Sequence, residues 1–421
     1  MGRISIDALE PGMVLAEDLR HSSGRFLLGK GVALDQRHLR VLKIWGVRSV
    51  AVEGSPEDLE PPHGDEISPA ALEAAERWTA KRFPPDLLSH PFLNELFRIC
   101  ALRKAREMAR QQDPERRKVS SPPEGGAVSE QGRAFPSFKR QIDLQALVDR
   151  ETGPASLPDI FLEISRVISD PRSSAVHVAD VISKDTSLSA KLLKIVNSAF
   201  YGFPSEIDTI SRAVMIVGTR QLSTLALGAS VIRVFRDIPA DMVDMKSFWE
   251  HSITCGVGAR MIGSYKNIPN TERLFVAGLL HDIGRIILYR SLPEVGREIL
   301  IRARGAHRLV RTEEAEVLGY DHAEIGGMLL MKWKLPRVLE QAVRYHHAPL
   351  QSQYLSEASI VCLSDIVANA LEIGSSGEDL VPPLTPEVWG EIGLEKGVLT
   401  EMIELIDRQV AEIIHLFFDG R

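Results

Sequence analysis

From residue 143 onward, apolar side chains return every three or four positions, as in "DIFLEISRVISD", "SLSAKLLKIVNSAF", "QLSTLALGASVIRVF", "FWEHSITCGVGARMI" and "LTEMIELIDRQVAEIIHLFF". That is the period of a helix with one buried face. It predicts a succession of amphipathic helices, with no convincing strand among them. Breaks bearing glycine or proline, such as "YGFPSE" and "WKLPRV", separate the helices as connections do in an all-α domain. The first 54 residues follow another pattern. "GMVLAEDL" and "RFLLGKGVAL" flank the turn-rich "HSSG" and predict a hairpin, and "SVAVEG" predicts a later strand. Between them, "DQRHLRVLKIWG" predicts a short helix with Asp35 as its N-cap, Leu39, Val41, Leu42 and Ile44 as its apolar stripe, and Gly46 as its stop.

Two polar, proline-bearing stretches, "EGSPEDLEPPHGDEISP" and "QQDPERRKVSSPPEGGAVSEQG", have the composition of linkers. Between them lie helical patterns around residues 69 to 82 and 86 to 112. The second is crowded with Arg98, Arg103, Lys104, Arg106 and Arg110, as a solvated helix face is. The fold class expected is mainly α: a small α+β module over residues 1–54, a linker with helical segments over 55–142, and an all-α domain over 143–421. No repeat of fixed period occurs.

Composition narrows the class further. The chain has 421 residues, 44% hydrophobic and 25% charged, enough for a sizeable core in two or three domains. With a formal net charge of −7, nothing in the overall balance recruits nucleic acid or an anionic membrane surface. Cys100, Cys255 and Cys362 lie far apart and encode neither a disulfide framework nor a thiolate zinc site, a usage that fits a reducing cytoplasm. No run of 18 apolar residues exists, and the start has neither a basic nor an apolar leader segment. The expectation is a cytoplasmic protein with no nucleic-acid or membrane partner.

Against that background, histidines on apolar helical patterns need an explanation. His251 lies in "FWEHSITCG", His281 and Asp282 in "LLHDIGR", His322 in "GYDHAEIGGMLL", His346 and His347 in "RYHHAPL", and Asp365 in "CLSDIVANAL". Imidazole with carboxylate suits iron, zinc, manganese or nickel. Adjacent helical residues diverge by about 100°, so His281 and Asp282 can share a cation only if it sits over the seam between their faces. A carboxylate such as Asp282 can bridge two cations that activate water against a phosphate ester. Each residue also has a plainer reading. A lone histidine on an apolar helix is often a hydrogen-bonded core residue, Asp321 can cap a helix with His322 in its first turn, and Asp365 can face a helix end.

His251, the His281–Asp282 dyad and Asp365, in that order, resemble the H…HD…D pattern of the HD superfamily of metal-dependent phosphohydrolases. With His322, His346 and His347 added, the set resembles the two-metal centre of the HD-GYP phosphodiesterases. "LPDIFLEISRVISDP", "VISKDTSLSAKLLKIVNSAFYG" and "ISRAVMIVGTRQL" resemble the hallmark segments of the HDOD family, the HD-related output domains of bacterial signalling, and the resemblance runs from residue 143 to about 345. Residues 4 to 53 are similar to a small module that often precedes HD-GYP domains. The resemblance implies an HD-like helical bundle and one or two divalent metals, Fe, Mn, Zn or Ni, held by His251, His281, Asp282, His322, His346, His347 and Asp365. The "GYP" loop is absent, and Arg285 stands where the enzymes carry a lysine. An arginine there can clamp a phosphate but makes a poor general acid. Two functions remain open. One is a bacterial signal-transduction protein with signalling protein partners. The other is a phosphohydrolase or phosphodiesterase acting on a nucleotide or cyclic nucleotide, in which Asp282 and Arg285 are the candidate catalytic residues. The "NSAFYG" stretch is expected to be structural.

Overall fold

The computed structural model describes residues 2–5, 9–20, 26–35, 38–39, 42, 49–53, 68–112, 142–151, 159–170, 172–198, 200–203, 205–235, 238–239, 241–394 and 398–419. In the N-terminal part, β1 (Gly2–Ser5) runs antiparallel to β4 (Ser49–Val52), and β2 (Leu19–Arg20) runs antiparallel to β3 (Phe26–Leu28). Leu19 faces Leu28 across the expected hairpin, whose "HSSG" turn lies outside the described residues. Ile4, Leu15, Leu34, Leu42, Val50 and Val52 form a small core of their own. Most of the helix expected at 35–46 and both polar linkers also lie outside the described residues.

The intervening helices are α1 (Pro69–Ala80) and α2 (Pro91–Gln112). Ser68 caps α1 by accepting from Ala71 N, and proline at the first helical position costs no hydrogen bond there. Phe83, Leu87, Phe92, Leu93 and Leu96 are buried in the main helical core, so this pair does more than connect. Its polar anchors reach far along the chain: Arg82 donates to the carbonyl of Asn369, Val381 N donates to the carbonyl of Arg82, and Arg103 pairs with Asp407. The other cations on the charged face include Arg98, paired with Glu95, and Lys104, paired with Glu107 and set over the Trp78 ring.

Next come α3 (Leu144–Glu151) and a group of five: α4 (Asp159–Ser169), α5 (Ala175–Ser183), α6 (Thr186–Val196), α7 (Ile210–Val217) and α8 (Thr219–Val234). Ser174, Asp185 and Thr209 cap α5, α6 and α7 through their side chains. At the end of α6, Asn197 donates to the carbonyl of Ile207 at 2.8 Å and accepts from its N–H at 2.7 Å, pinning the turn that leads to α7. Phe200 is buried and meets Phe275 edge-on, with 5.1 Å between ring centroids, while the Arg260 guanidinium covers its other side and donates to its carbonyl. The "NSAFYG" turn therefore docks the group α4–α8 onto the second group.

That second group holds α9 (Met245–Tyr265), α10 (Glu272–Leu280), α11 (Ile283–Ser291), α12 (Pro293–Ala306), α13 (Val310–Leu318), α14 (His322–Lys332), α15 (Arg337–Arg344) and α16 (Leu355–Leu371), followed by α17 (Pro386–Ile392) and α18 (Val398–Ile414). Here α9 and α10 cross at two glycines. A Cβ on Gly278 would lie 2.7 Å from Gly256 Cα, and one on Gly256 would lie 2.7 Å from the Phe275 carbonyl oxygen, so the two backbones touch. No single helix among the described residues is long and apolar enough to cross a membrane. Truncating Phe200 to alanine leaves a hole where the two helical groups meet. Phe200→Ala is expected to cost about 3 kcal/mol in chemical denaturation, and an unchanged unfolding midpoint would remove its structural role.

Candidate metal centre

His251 occupies the middle of α9 and Asp365 the middle of α16, on faces that pack against α10. The dyad lies differently from the expectation of one continuous helix. His281 is the C-cap of α10 and Asp282 the N-cap of α11, so the chain breaks at the dyad itself and both side chains turn to the same side. Asp282 stands at the N-cap position of α11 but makes no capping bond, which leaves its carboxylate to the centre. Asp321 does cap α14, accepting from Glu324 N, and thereby places His322 as the first residue of that helix. The plain reading of "DH" and the ligand reading are thus compatible. His346 and His347 follow the end of α15.

These residues converge. His251 Nε2 is 3.3 Å from His281 Nε2, 3.3 Å from Asp365 Oδ1 and 3.6 Å from Asp282 Oδ2, and His281 Nε2 is 3.3 Å from both Asp282 Oδ2 and Asp365 Oδ1. Such spacings are long for charge-assisted hydrogen bonds, which run about 2.7–2.9 Å. They match the edges of a polyhedron of donors around one cation with bonds of about 2.1 Å. Beside this group, His322 Nε2 lies 2.9 Å from the other oxygen of Asp282, Oδ1, and 3.0 Å from His347 Nε2. Donor atoms of His322, His346 and His347 lie within 4.8 Å of one another, as do those of His281, His346 and Asp365. Asp282 therefore offers one oxygen to each group, and His346 adjoins both.

The rings are held in the orientation a cation needs. His281 Nδ1 donates to the carbonyl of Gly278 at 2.7 Å and His346 Nδ1 to that of Val343 at 2.6 Å, so each turns Nε2 toward the centre. His346 Nε2 is buried with no hydrogen-bond partner, an expensive state for a polar atom unless something else satisfies it. His251, His281, Asp282, His322, His346 and Asp365 are all buried, while His347 is half-buried. The residues present fit one or two divalent cations: they are imidazole nitrogens and carboxylates whose donor atoms gather in one buried cluster, with Asn369 Nδ2 donating to Asp365 Oδ1 at 2.7 Å.

Arg285 is also buried, with its guanidinium among carboxylates. Nε lies 3.6 Å from Asp282 Oδ1 and 3.8 Å from Glu314 Oε1, Nη2 lies 3.7 Å from Glu378 Oε2, and Nη1 donates to Ser376 Oγ at 2.8 Å. Glu314, Ser376 and Glu378 escaped the sequence reading. Glu314 carried a signal, since it falls on the buried stripe of α13 with Val310 and Val317. Ser376 and Glu378 lie in a polar loop with no periodicity to mark them.

Burial opposes charge on every group here, and the neighbours decide which groups carry it. At His281 the burial penalty is outweighed by Asp282 and Cys255, and the pKa rises well above the usual imidazole value. At His322 it is outweighed by Glu314 and Asp282, and the pKa rises to about 9. Burial, reinforced by His281 and His322, pushes His346 down to about 3, and burial with His346 and Arg311 pushes His347 down as well. The carboxyls of Asp282 and Asp365 are held well below their usual range, because cationic neighbours overcome burial. Without metal, protons on His281 and His322 supply the positive charge that the carboxylates require.

The family model of the HDOD domain matches residues 155–349. An uncharacterised protein of Treponema pallidum (strain Nichols) is 30% identical over 208 residues, which are 48% of this chain and 39% of that protein, so this chain spans about two fifths of the relative's length. Among solved structures, an HDOD domain protein with unknown function from Geobacter sulfurreducens superposes with a TM-score of 0.54 at 22% identity, covering 65% of this chain and 98% of the other. A protein of Shewanella amazonensis SB2B, whose phosphohydrolase name is itself a conjecture, superposes with a TM-score of 0.53 at 23% identity, covering 65% and 97%. At these identities the likeness shows the fold.

A cation entering the centre must displace the protons on His281 and His322. Titration calorimetry at pH 7 in two buffers of different ionisation enthalpy should give different apparent heats of Mn2+ binding. Identical heats would mean that no proton leaves and that the cation binds elsewhere.

Proposed function

With an HDOD domain over residues 155–349 as the premise, we propose that this chain is a bacterial cytoplasmic signal-transduction protein whose helical bundle holds divalent metal. His251, His281, Asp282 and Asp365 would hold one ion, and His322, His346 and His347, with the second oxygen of Asp282, would hold another. Its partners would be signalling proteins, with a nucleotide as a candidate ligand, and no nucleic acid or membrane. The observation that supports a regulatory role is the closure of the centre. Every donor except His347 is buried, and the Ser376–Glu378 loop covers Arg285. A centre closed in this way suits a metal that stabilises and reports a conformation, because a phosphate ester would first have to displace protein from Arg285.

One observation favours a second reading, a metal-dependent phosphohydrolase: the two oxygens of Asp282 face two separate donor groups. A bound metal pair supplies Lewis acidity for attack of water on a phosphate ester. In that reading Asp282 holds both cations in register, half-buried His347 marks the side from which a substrate enters, and Arg285, freed from Ser376 and Glu378, binds phosphate oxygens through its planar fork. It stays protonated, so the leaving group's proton has to come from elsewhere.

Two measurements separate these possibilities. If metal is bound, EDTA should lower the melting temperature of the wild type and leave Asp282→Ala unchanged, because ligand held at 100 times its Kd contributes about 2.7 kcal/mol. Were the dyad only a hydrogen-bonded remnant, EDTA would do nothing, although Asp282→Ala would still cost about 3–5 kcal/mol by leaving its buried cationic neighbours without a carboxylate. Equal wild-type melting curves with and without EDTA, together with no metal in the purified protein, would contradict the metal reading altogether. A panel of nucleotide and cyclic dinucleotide phosphodiesters, offered to metal-loaded protein, should show no turnover. Turnover that disappears in Asp282→Ala would replace the regulatory reading with the hydrolytic one.

A further inference from the structure

The histidines of the centre are not supported alike. His281 and His346 each donate Nδ1–H to a main-chain carbonyl, and His251 Nδ1 has no hydrogen-bond partner. His322 is different: its Nδ1 lies 2.6 Å from Glu314 Oε2, and the same oxygen accepts the main-chain N–H of His322 at 2.9 Å. Arg285 Nε also comes within 3.3 Å of that ring nitrogen. A carboxylate only accepts, and a bare nitrogen 2.6 Å from it would repel it, so Nδ1 carries a hydrogen, and Nε2, which points at Asp282 Oδ1 and His347 Nε2, is the nitrogen whose lone pair a cation would take once its proton is displaced.

Glu314 makes little sense as a packing residue. It is completely buried on a helix face shared with Val310 and Val317, its Oε1 has no hydrogen-bond partner, and Arg285 approaches that oxygen no closer than 3.8 Å. A carboxylate kept in such a place costs free energy that apolar packing would not. What it gains is a double grip on His322, ring and main chain together. The main chain of His322 is fixed from the other side as well, since its carbonyl lies where a Cβ on Gly284 would be, at 2.0 Å.

We infer that Glu314 is a positioning residue for the second cation position: by accepting from Nδ1 it fixes the His322 ring and makes Nε2 a stronger donor to divalent metal. An anionic acceptor on the far nitrogen raises the basicity of the near one, as outer partners of metal-bound imidazoles do. The effect is local. His322 Nε2 faces the Oδ1 side of Asp282, whereas His251, His281 and Asp365 gather on the Oδ2 side. The two cation positions therefore differ in kind: one has two imidazoles and two carboxylates, and the other has three imidazoles and the second oxygen of Asp282, with one of those imidazoles strengthened by Glu314.

This inference rests on the metal reading above, and the test keeps the two apart. The full chain, freed of metal, is titrated with Co2+ and followed by visible absorption, in the wild type, Glu314→Gln, Glu314→Ala and the neighbouring control Glu313→Gln, with melting curves for each. Wild type and Glu313→Gln should bind two ions. Glu314→Gln keeps an acceptor but loses the charge and should weaken the second ion about 10-fold, and Glu314→Ala should weaken it about 100-fold, with the first ion unchanged in both. A second ion bound equally well by all four proteins would overturn the inference and leave the metal centre standing. So would a wild type that binds only one ion, or variants in which both affinities fall together with the melting temperature, as a purely structural role requires. A wild type that binds no Co2+ removes the metal reading itself.

Discussion

Helices α9 and α10 touch backbone to backbone at Gly256 and Gly278, and the centre depends on that contact. Any side chain at either position would clash with the facing backbone and push the helices apart. His251 lies five residues before one glycine and His281 three residues after the other, so the crossing sets the distance between their rings. Gly278 has a second part in it, because its carbonyl accepts from His281 Nδ1 and turns Nε2 inward. The same close approach thus governs both where the first imidazoles are and which nitrogen they present.

The remaining parts are arranged around that crossing. Helix α16 packs along α9 and brings Asp365 between the two rings, and the break between α10 and α11 frees the Asp282 carboxylate from capping duty. The "NSAFYG" turn bears on the same pair of helices from outside, through Phe200 against Phe275 of α10 and under Arg260 of α9. Through this turn α4–α8 rest on the two helices that set the positions of His251 and His281. The closing loop sits on the opposite flank of the dyad, where Ser376 and Glu378 engage Arg285. Arg285 thus touches both the dyad and that loop, and Ser375 of the loop also donates to the carbonyl of Ser247 on α9.

Much of this was legible in the sequence because it depends on periodicity and on residue chemistry. The three-and-four spacing after residue 143 marked the helices, and metal-grade side chains on apolar stripes marked His251, His281, Asp282 and Asp365. Other features were hidden for identifiable reasons. A helical period cannot show that the chain breaks inside "LLHDIGR", since both sides of the break are apolar and no proline marks it. Charge patterning shows a cation such as Arg103 but not a partner 304 positions away, Asp407. Helices α1 and α2 looked like part of a linker because polar stretches flank them, yet Phe92 and Leu96 bury into the main core. Glu314 was legible in principle as an acid on a buried stripe, and its partner was not, because the bond to His322 crosses a turn.

The most direct measurement is anomalous diffraction from a crystal of the metal-loaded protein, recorded on both sides of the metal's absorption edge. A peak is predicted at bonding distance, about 2.1 Å, from Nε2 of His251 and His281 and from one carboxylate oxygen each of Asp282 and Asp365. The contradicting result is a map with no anomalous peak among those four residues, the imidazoles and carboxylates being bridged by hydrogen bonds or water instead.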